Sequence, residues 1–360
     1  MNKHLIFSVM IAALLSLSAA FAFTPVVGSD LNIIVETENF VPMIWLHQDG
    51  CTLYHNNADG GGELVERVEN YAFEGEQIKC RFLAMDKNGA DTIRDVYVGL
   101  SEMPTSNPAD FSIEASCQES CSGDPTEYNA RVDGELITTL DCSTMRTYDC
   151  TFTVETQNSQ HGEYYLSGIV EDLDGDMTDI DENTYWFLNP LISLTITGDV
   201  DFGTVTPGTN SYSSSILVEN AAESGSGVLL DMAISGTDFY DPTNSGAKCP
   251  DSNVLNLRSF AYYASNGAYH TMVGSLRANL YGQDGLDEGY YSIPYETADP
   301  DAREEIMQDA GLVNLGGKDY QAGNVLSPGA EISVTFRLAL PEPCNGDFSD
   351  GSIYFWGSAI

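Results

Sequence analysis

Short runs of alternating apolar and polar residues recur along this chain, and Gly, Pro, Asn or Asp cuts each one off before it is long enough for a helix. That rhythm constrains the fold more than any other feature. A period of two sends successive side chains to opposite faces, so each run presents one face to a core and one to solvent. Leu31–Thr37, Val41–Leu46, Glu63–Val68, Gln77–Met85, Asp95–Leu100, Ser112–Cys117, Leu136–Cys142, Tyr148–Glu155, Glu163–Asp172 and Thr184–Leu188 read as strands. Cys51 to Gly62 reads as a polar, Gly-rich connection, and Ser101–Asp110, with Pro104 and Pro108, as a loop. Leu191–Ile196, Ser213–Glu219, Val228–Ile234, Ser259–Tyr263, Glu331–Leu340 and Ser352–Trp356 continue the series. Asp299–Ala310 breaks it: Asp299 can cap a helix, Pro300 suits a first turn, and Gly311 ends it. The expected fold is all-β, two β-sandwich domains at 23–189 and 190–360 with the boundary at Asn189-Pro190 and one short helix in the second.

An internal echo supports the sandwich. Gly75-Glu76 opens a strand running into Asp86-Lys87-Asn88-Gly89, and Gly162-Glu163 opens another running into Asp172-Leu173-Asp174-Gly175. Such pseudo-symmetry suits two facing hairpins of one sandwich.

The first 22 residues address the chain outside the cell. A basic start, Met1-Asn2-Lys3-His4, precedes the apolar stretch Leu5–Ala20, and Ala20-Phe21-Ala22 offers small residues two apart to a signal peptidase. No second apolar run long enough to span a bilayer follows, so no membrane span is expected after signal removal. In an exported chain, eight cysteines read as disulfides. Cys249 and Cys344 stand alone in the second half and are expected to pair. The other six allow 15 pairings, with Cys142 placed with Cys150 or Cys117.

Charge excludes one class of partner. Fourteen Lys and Arg against 54 Asp and Glu give a formal charge of −40, which repels phosphate backbones, so nucleic acid is not expected. The acidity fits either a salty habitat or cation binding. Asp172, Asp174, Asp176, Asp179 and Asp181 crowd into one segment, and hard carboxylate oxygens at that density suit Ca²⁺, against the alternative of a solvated acidic loop. His47, Cys51 and His55 are spaced four apart, but Asp49-Gly50 interrupts them, and an ordinary loop is the expectation. The sequence has no Gly-x-Ser-x-Gly elbow, no His-Glu-x-x-His, no phosphate-binding loop and no dinucleotide fingerprint, so no enzyme is expected.

Val200–Gly208, followed by Ile216–Asn220, is similar to the opening of many exported immunoglobulin-like sandwiches. Gly75–Val98 resembles immunoglobulin-like modules of archaeal cell-surface proteins. Asp238-Phe239-Tyr240-Asp241 and the stretch from Pro343 to Ile360 resemble domain tails of small secreted archaeal proteins. The antibody-type buried Trp and inter-sheet Cys pair are not recognisable, which leaves the topology open. The resemblance implies tandem immunoglobulin-like modules with a surface-coat or adhesive role and no catalytic residues.

The reading that follows is a secreted structural protein of a surface layer or envelope coat, acting by self-assembly or adhesion. Its partners are other copies of itself or other cell-surface proteins. One alternative is a filament subunit joined by strand donation from residues 23–37, whose apolar Leu31–Val35 can add to a neighbour's sheet edge. Another is a module for a surface glycan or a protein, using Tyr262, Tyr263, Tyr290 and Tyr291.

Overall fold

The computed structural model describes residues 35–55, 62–63, 69–180, 184–250, 252–271, 289–296, 304–308, 311–315 and 317–360. Residues Phe40–Ile360 form one compact unit and Met1–Asn39 a separate one. Residues 35–39 of the latter are exposed and carry no strand, although Leu31–Thr37 reads as one; Leu31–Ile34 lies outside the described residues.

The first half of the compact unit is a sandwich. Its strands are β1 (Met43–His55), β2 (Gln77–Met85), β3 (Ile93–Ser101), β4 (Ser116–Ser120), β5 (Met145–Thr153), β6 (Gly162–Asp172) and β7 (Tyr185–Leu188). One sheet runs β1-β2-β5-β4 and the other β7-β6-β3, with each of these neighbouring pairs antiparallel. Alternate residues of the first (Ile44, Leu46, Ile78, Phe82, Phe152) meet alternate residues of the second (Val98, Leu100, Leu166, Val170, Trp186) in one core. β1 continues through Cys51 to His55 by way of an irregularity between Leu46 and Cys51. The connection expected from Cys51 is therefore strand in its described part. Gln48, Asp49 and Gly50 sit where the register shifts, and a strand resumes beyond them because Cys51 and Leu53 return to the core.

The two echoed strands face each other across this core. Gly168 of β6 lies against the Phe82 ring of β2, so close that a Cβ there would stand 2.8 Å from Phe82 Cε1. Only one echo is a hairpin. β6 turns back on Met177–Asp179 in its own sheet, whereas β2 crosses to β3 in the opposite one.

Four cysteines form a transverse row. Cys51 is opposite Cys80, Cys80 opposite Cys150, and Cys150 opposite Cys117. Bonds Cys51–Cys80 and Cys117–Cys150 thus tie the strands of one sheet in pairs and pin its register. Neither bond joins the two sheets. Cys142 pairs with Cys121, and not with Cys150 or Cys117. It closes the base of an excursion whose Tyr128 and Ala130 cover the outer face of the sheet at Leu83, Met85 and Met145. Of the strand expected at Leu136–Cys142 only Leu136 forms, as the end of the short strand Glu135–Leu136, because the segment serves as this cover.

The second half is built from β8 (Leu194–Thr197), β9 (Asn210–Asn220), β10 (Leu230–Gly236), β11 (Phe260–Asn266), β12 (Glu304–Glu305), β13 (Val325–Leu326), β14 (Glu331–Ala339) and β15 (Ile353–Ala359). One sheet runs β8-β9-β14-β11; in the other, β10 has β15 on one side and the short β12 and β13 on its remaining contacts. Ile216, Val218, Tyr262, Val334 and Phe336 of the first pack on Leu230, Met232 and Ile234 of the second. Cys249–Cys344 ties the connections flanking this core. Helix is not found in the described part of Asp299–Ala310. Glu304 and Glu305 pair with Ile234 and Ala233, and Ile306 and Met307 are fully buried beyond them. Tertiary burial of that pair outweighs the local capping signal.

The two halves share contacts. Tyr71 and Phe187, from the first, belong to the second core. The Tyr71 hydroxyl donates to the Ile360 carbonyl at 2.8 Å in a buried setting, and His161 Nε2 lies 2.9 Å from Glu223 Oε2.

Candidate functional site

The outer face of the β8-β9-β14-β11 sheet carries a cluster of part-exposed aromatics. On β14 the even residues Ile332, Val334, Phe336 and Leu338 fill the core, which leaves Ser333, Thr335 and Arg337 on the other face. Register then places Tyr212 opposite Arg337 and Tyr263 opposite Thr335, on that same outer side. Tyr290 joins them. Its ring centre is 5.7 Å from Tyr212 and 5.8 Å from Tyr263, and Tyr263 stacks on His270 at 6.0 Å. Beneath lies Arg337, 1% exposed, its guanidinium carbon 5.6 Å from the Tyr290 ring centre. A buried cation under an aromatic face strengthens the ring's hold on its position. The row offers apolar ring faces bordered by hydroxyls, suited to stacking on a sugar ring or to packing against a protein partner.

Sequence reading named Tyr262, Tyr263, Tyr290 and Tyr291 for this purpose. Tyr263 and Tyr290 are part-exposed on the outer face, but Tyr262 and Tyr291 are buried, at 0% and 2% exposure. Their hydroxyls donate to the carbonyls of Ile306 (2.8 Å) and Gln308 (3.2 Å). Adjacent residues of a strand cannot share a face, so only one of each Tyr-Tyr pair can be outside. Tyr212 and His270 complete the row instead. The strand alternation of Ser213–Glu219 carries no signal for Tyr212, because the β9–β14 register shifts between Tyr212 and Ser215.

The acidic segment has a different geometry. Asp172 is buried, and its Oδ1 accepts backbone N–H groups from Asp174 (2.9 Å) and Asp176 (2.8 Å). Asp86, in the echoed turn, is also buried and accepts the Asn88 N–H and the Thr92 hydroxyl. The Leu173 N–H donates to the Thr92 carbonyl, so the two acidic turns lie side by side. Asp174, Asp176 and Asp179 are exposed, and Asp181 lies outside the described residues. Among the described residues no group of three or more His, Cys, Asp or Glu is placed to hold a metal ion. His47 is buried, with Nε2 3.2 Å from Glu127 and Nδ1 accepting the Asp49 N–H, while Cys51 is in a disulfide.

Asp241 forms a third such turn. It accepts N–H and hydroxyl groups from Thr243 and Ser245, which hold its carboxyl far below the usual carboxylate range. Asp231, on β10, has the opposite environment. Burial pushes its carboxyl up to about 6 against the pull of Lys318, and Oδ1 has no hydrogen-bond partner among the described residues.

No protein-family model matches the chain, and no curated protein matches it in sequence. Among solved structures it is similar to the C-terminal domain of the AgI/II polypeptide BspA of Streptococcus agalactiae, at 11% identity and a TM-score of 0.28, over 89% of this chain and 97% of that one. It is also similar to the collagen adhesin CNA from S. aureus, at 12% identity and a TM-score of 0.12, over 81% and 89%.

Proposed function

We propose that this chain is a secreted structural protein of the cell surface, a subunit of a surface layer or envelope coat that works by self-assembly and adhesion. The observation that carries the reading is the Tyr212–Tyr290–Tyr263–His270 row, fixed on the outer face of a paired sheet. Aromatic contact area held rigid in advance loses little entropy when a partner docks. Four disulfides, with no free cysteine, support an oxidising compartment and hence export. The partners are further copies of the chain or other cell-surface proteins. Calcium taken up by the acidic segment 172–181 would screen the repulsion between such acidic subunits.

Electron microscopy of the secreted protein, with Ca²⁺ and with EDTA, tests this. Ordered sheets or threads are expected with calcium and their dissolution in EDTA. Tyr212→Ser together with Tyr263→Ser should weaken assembly or retention on cell envelopes while leaving the circular dichroism unchanged. A monomer that neither assembles nor binds envelopes overturns the reading. The same tyrosine row favours a second reading, a surface-glycan module, which predicts a monomer saturating with one glycan in a titration lost in the double variant.

A further inference from the structure

A small cavity opens beside the Cys249–Cys344 bond, between the connection that leads into β11 and the residues that follow β14. Its volume is about 160 Å³, and Cys249, Pro250, Val254, Asn256, Ser259 and Pro341 line it. That is well below the roughly 300 Å³ at which sites for drug-sized ligands begin, so it suits one sugar unit or a group carried on one.

Two polar side chains in this lining point to a ligand. Ser259 is 2% exposed, and its hydroxyl has no hydrogen-bond partner among the described residues. Native folds rarely leave a buried hydroxyl unpaired, because it has given up water and gained nothing. Asn256 Oδ1 accepts the Arg258 N–H at 2.9 Å, with the Tyr295 hydroxyl also 2.9 Å away. Those contacts commit the amide oxygen and leave the Nδ2 donors, which have no partner among the described residues.

The lining also fixes the chemistry of the guest. Among the described residues no ionisable side chain lines the cavity, although the chain carries a formal charge of −40. A charged ligand would lose hydration there and find no counter-charge. The disulfide, Pro250, Val254 and Pro341 offer an apolar wall for a methyl group, and Ser259 and Asn256 offer donors for an acceptor oxygen. An acetamido group is small and neutral and has both parts. Ser252, exposed and also in the lining, can meet the hydroxyls of the ring that carries it.

We propose that this cavity binds the acetamido group of an N-acetylated sugar, its methyl against Pro250, Val254 and Pro341 and its carbonyl oxygen accepting from Ser259 Oγ and Asn256 Nδ2. None of Tyr212, Tyr263, Tyr290 and His270 lines the cavity, so the inference goes beyond the assembly reading and is tested apart from it.

The test is a calorimetric titration of the full secreted chain with the methyl glycoside of N-acetylglucosamine, with methyl glucoside, which lacks the acetamido group, and with N-acetyl-lysine. The acetamido sugar is expected to bind and methyl glucoside to bind at least about tenfold more weakly. Ser259→Ala and Asn256→Asp, the latter keeping the oxygen that Arg258 N–H needs, should each weaken the acetamido sugar at least about fivefold, as loss of one hydrogen bond implies. Ser259→Ala should leave the melting temperature of the unliganded protein unchanged or raised, since it removes an unpaired hydroxyl, and this separates a lost contact from a damaged fold. Tyr212→Ser should bind the sugar as wild type does. Equal affinity for the two glycosides, binding that survives both cavity variants, or an acetylated lysine that binds where the sugar does not, overturns the proposal. Absence of binding by either sugar overturns it too and leaves the cavity to ordered water. None of these results bears on assembly, which electron microscopy reads.

Discussion

Individual side chains in this protein are set by what lies across the sandwich. Gly168 is a glycine because the Phe82 ring fills the space a Cβ would need. Gly168→Ala should overpack that core and destabilise the fold by about 1–3 kcal/mol in urea unfolding, and Phe82→Leu should relieve part of the loss. Asp231 gives a signed pH effect. Its folded carboxyl titrates near 6, above the unfolded value, so the native state binds the extra proton between the two. Its contribution is most favourable below about pH 4 and is lost as pH rises through 6. Asp231→Asn should therefore stabilise the protein by about 1–3 kcal/mol at pH 8 and change little at pH 3.5, as thermal melts at the two values would show. Asp241 has the opposite sign. Its lowered carboxyl contributes stability present above the unfolded value and lost only in strong acid.

At the scale of elements, register is the quantity that matters. The Cys51–Cys80–Cys150–Cys117 row spans four strands, so a slip of one residue would turn these side chains out of the core and separate both pairs. Replacing Cys51 and Cys80 together by Ser should cost about 2–4 kcal/mol in denaturant unfolding under oxidising conditions. Removing Cys121 and Cys142 should cost about 3 kcal/mol or less. It should also raise hydrogen exchange first in the excursion over Leu83 and Met145, where the fold holds a small satellite core. Most strand positions were legible from alternation alone, as with Gln77–Met85, which forms over those same residues. The elements that departed from expectation share one cause. β1 past Cys51, the cover at Leu136–Cys142 and the pair Glu304–Glu305 are each decided by a distant partner, which a local window does not contain.

For the whole molecule, the two halves of the compact unit are held together by side-chain contacts as well as by the chain. The Tyr71 hydroxyl reaches the Ile360 carbonyl across the join, and Tyr71 and Phe187 pack into the second core. Tyr71→Phe keeps the ring and removes the bond, and should cost about 1 kcal/mol, with the two halves still unfolding together in calorimetry.

The amino-acid order by itself determined the period-two pattern, the turns that cut it, the oxidisable cysteines and the acidity, because each depends on residues close in the chain or on simple counts. Tertiary structure alone decided which tyrosines look outward and which cysteines meet. Those outcomes follow from register between strands far apart in sequence, and a one-residue shift in any of them would exchange the inner and outer faces.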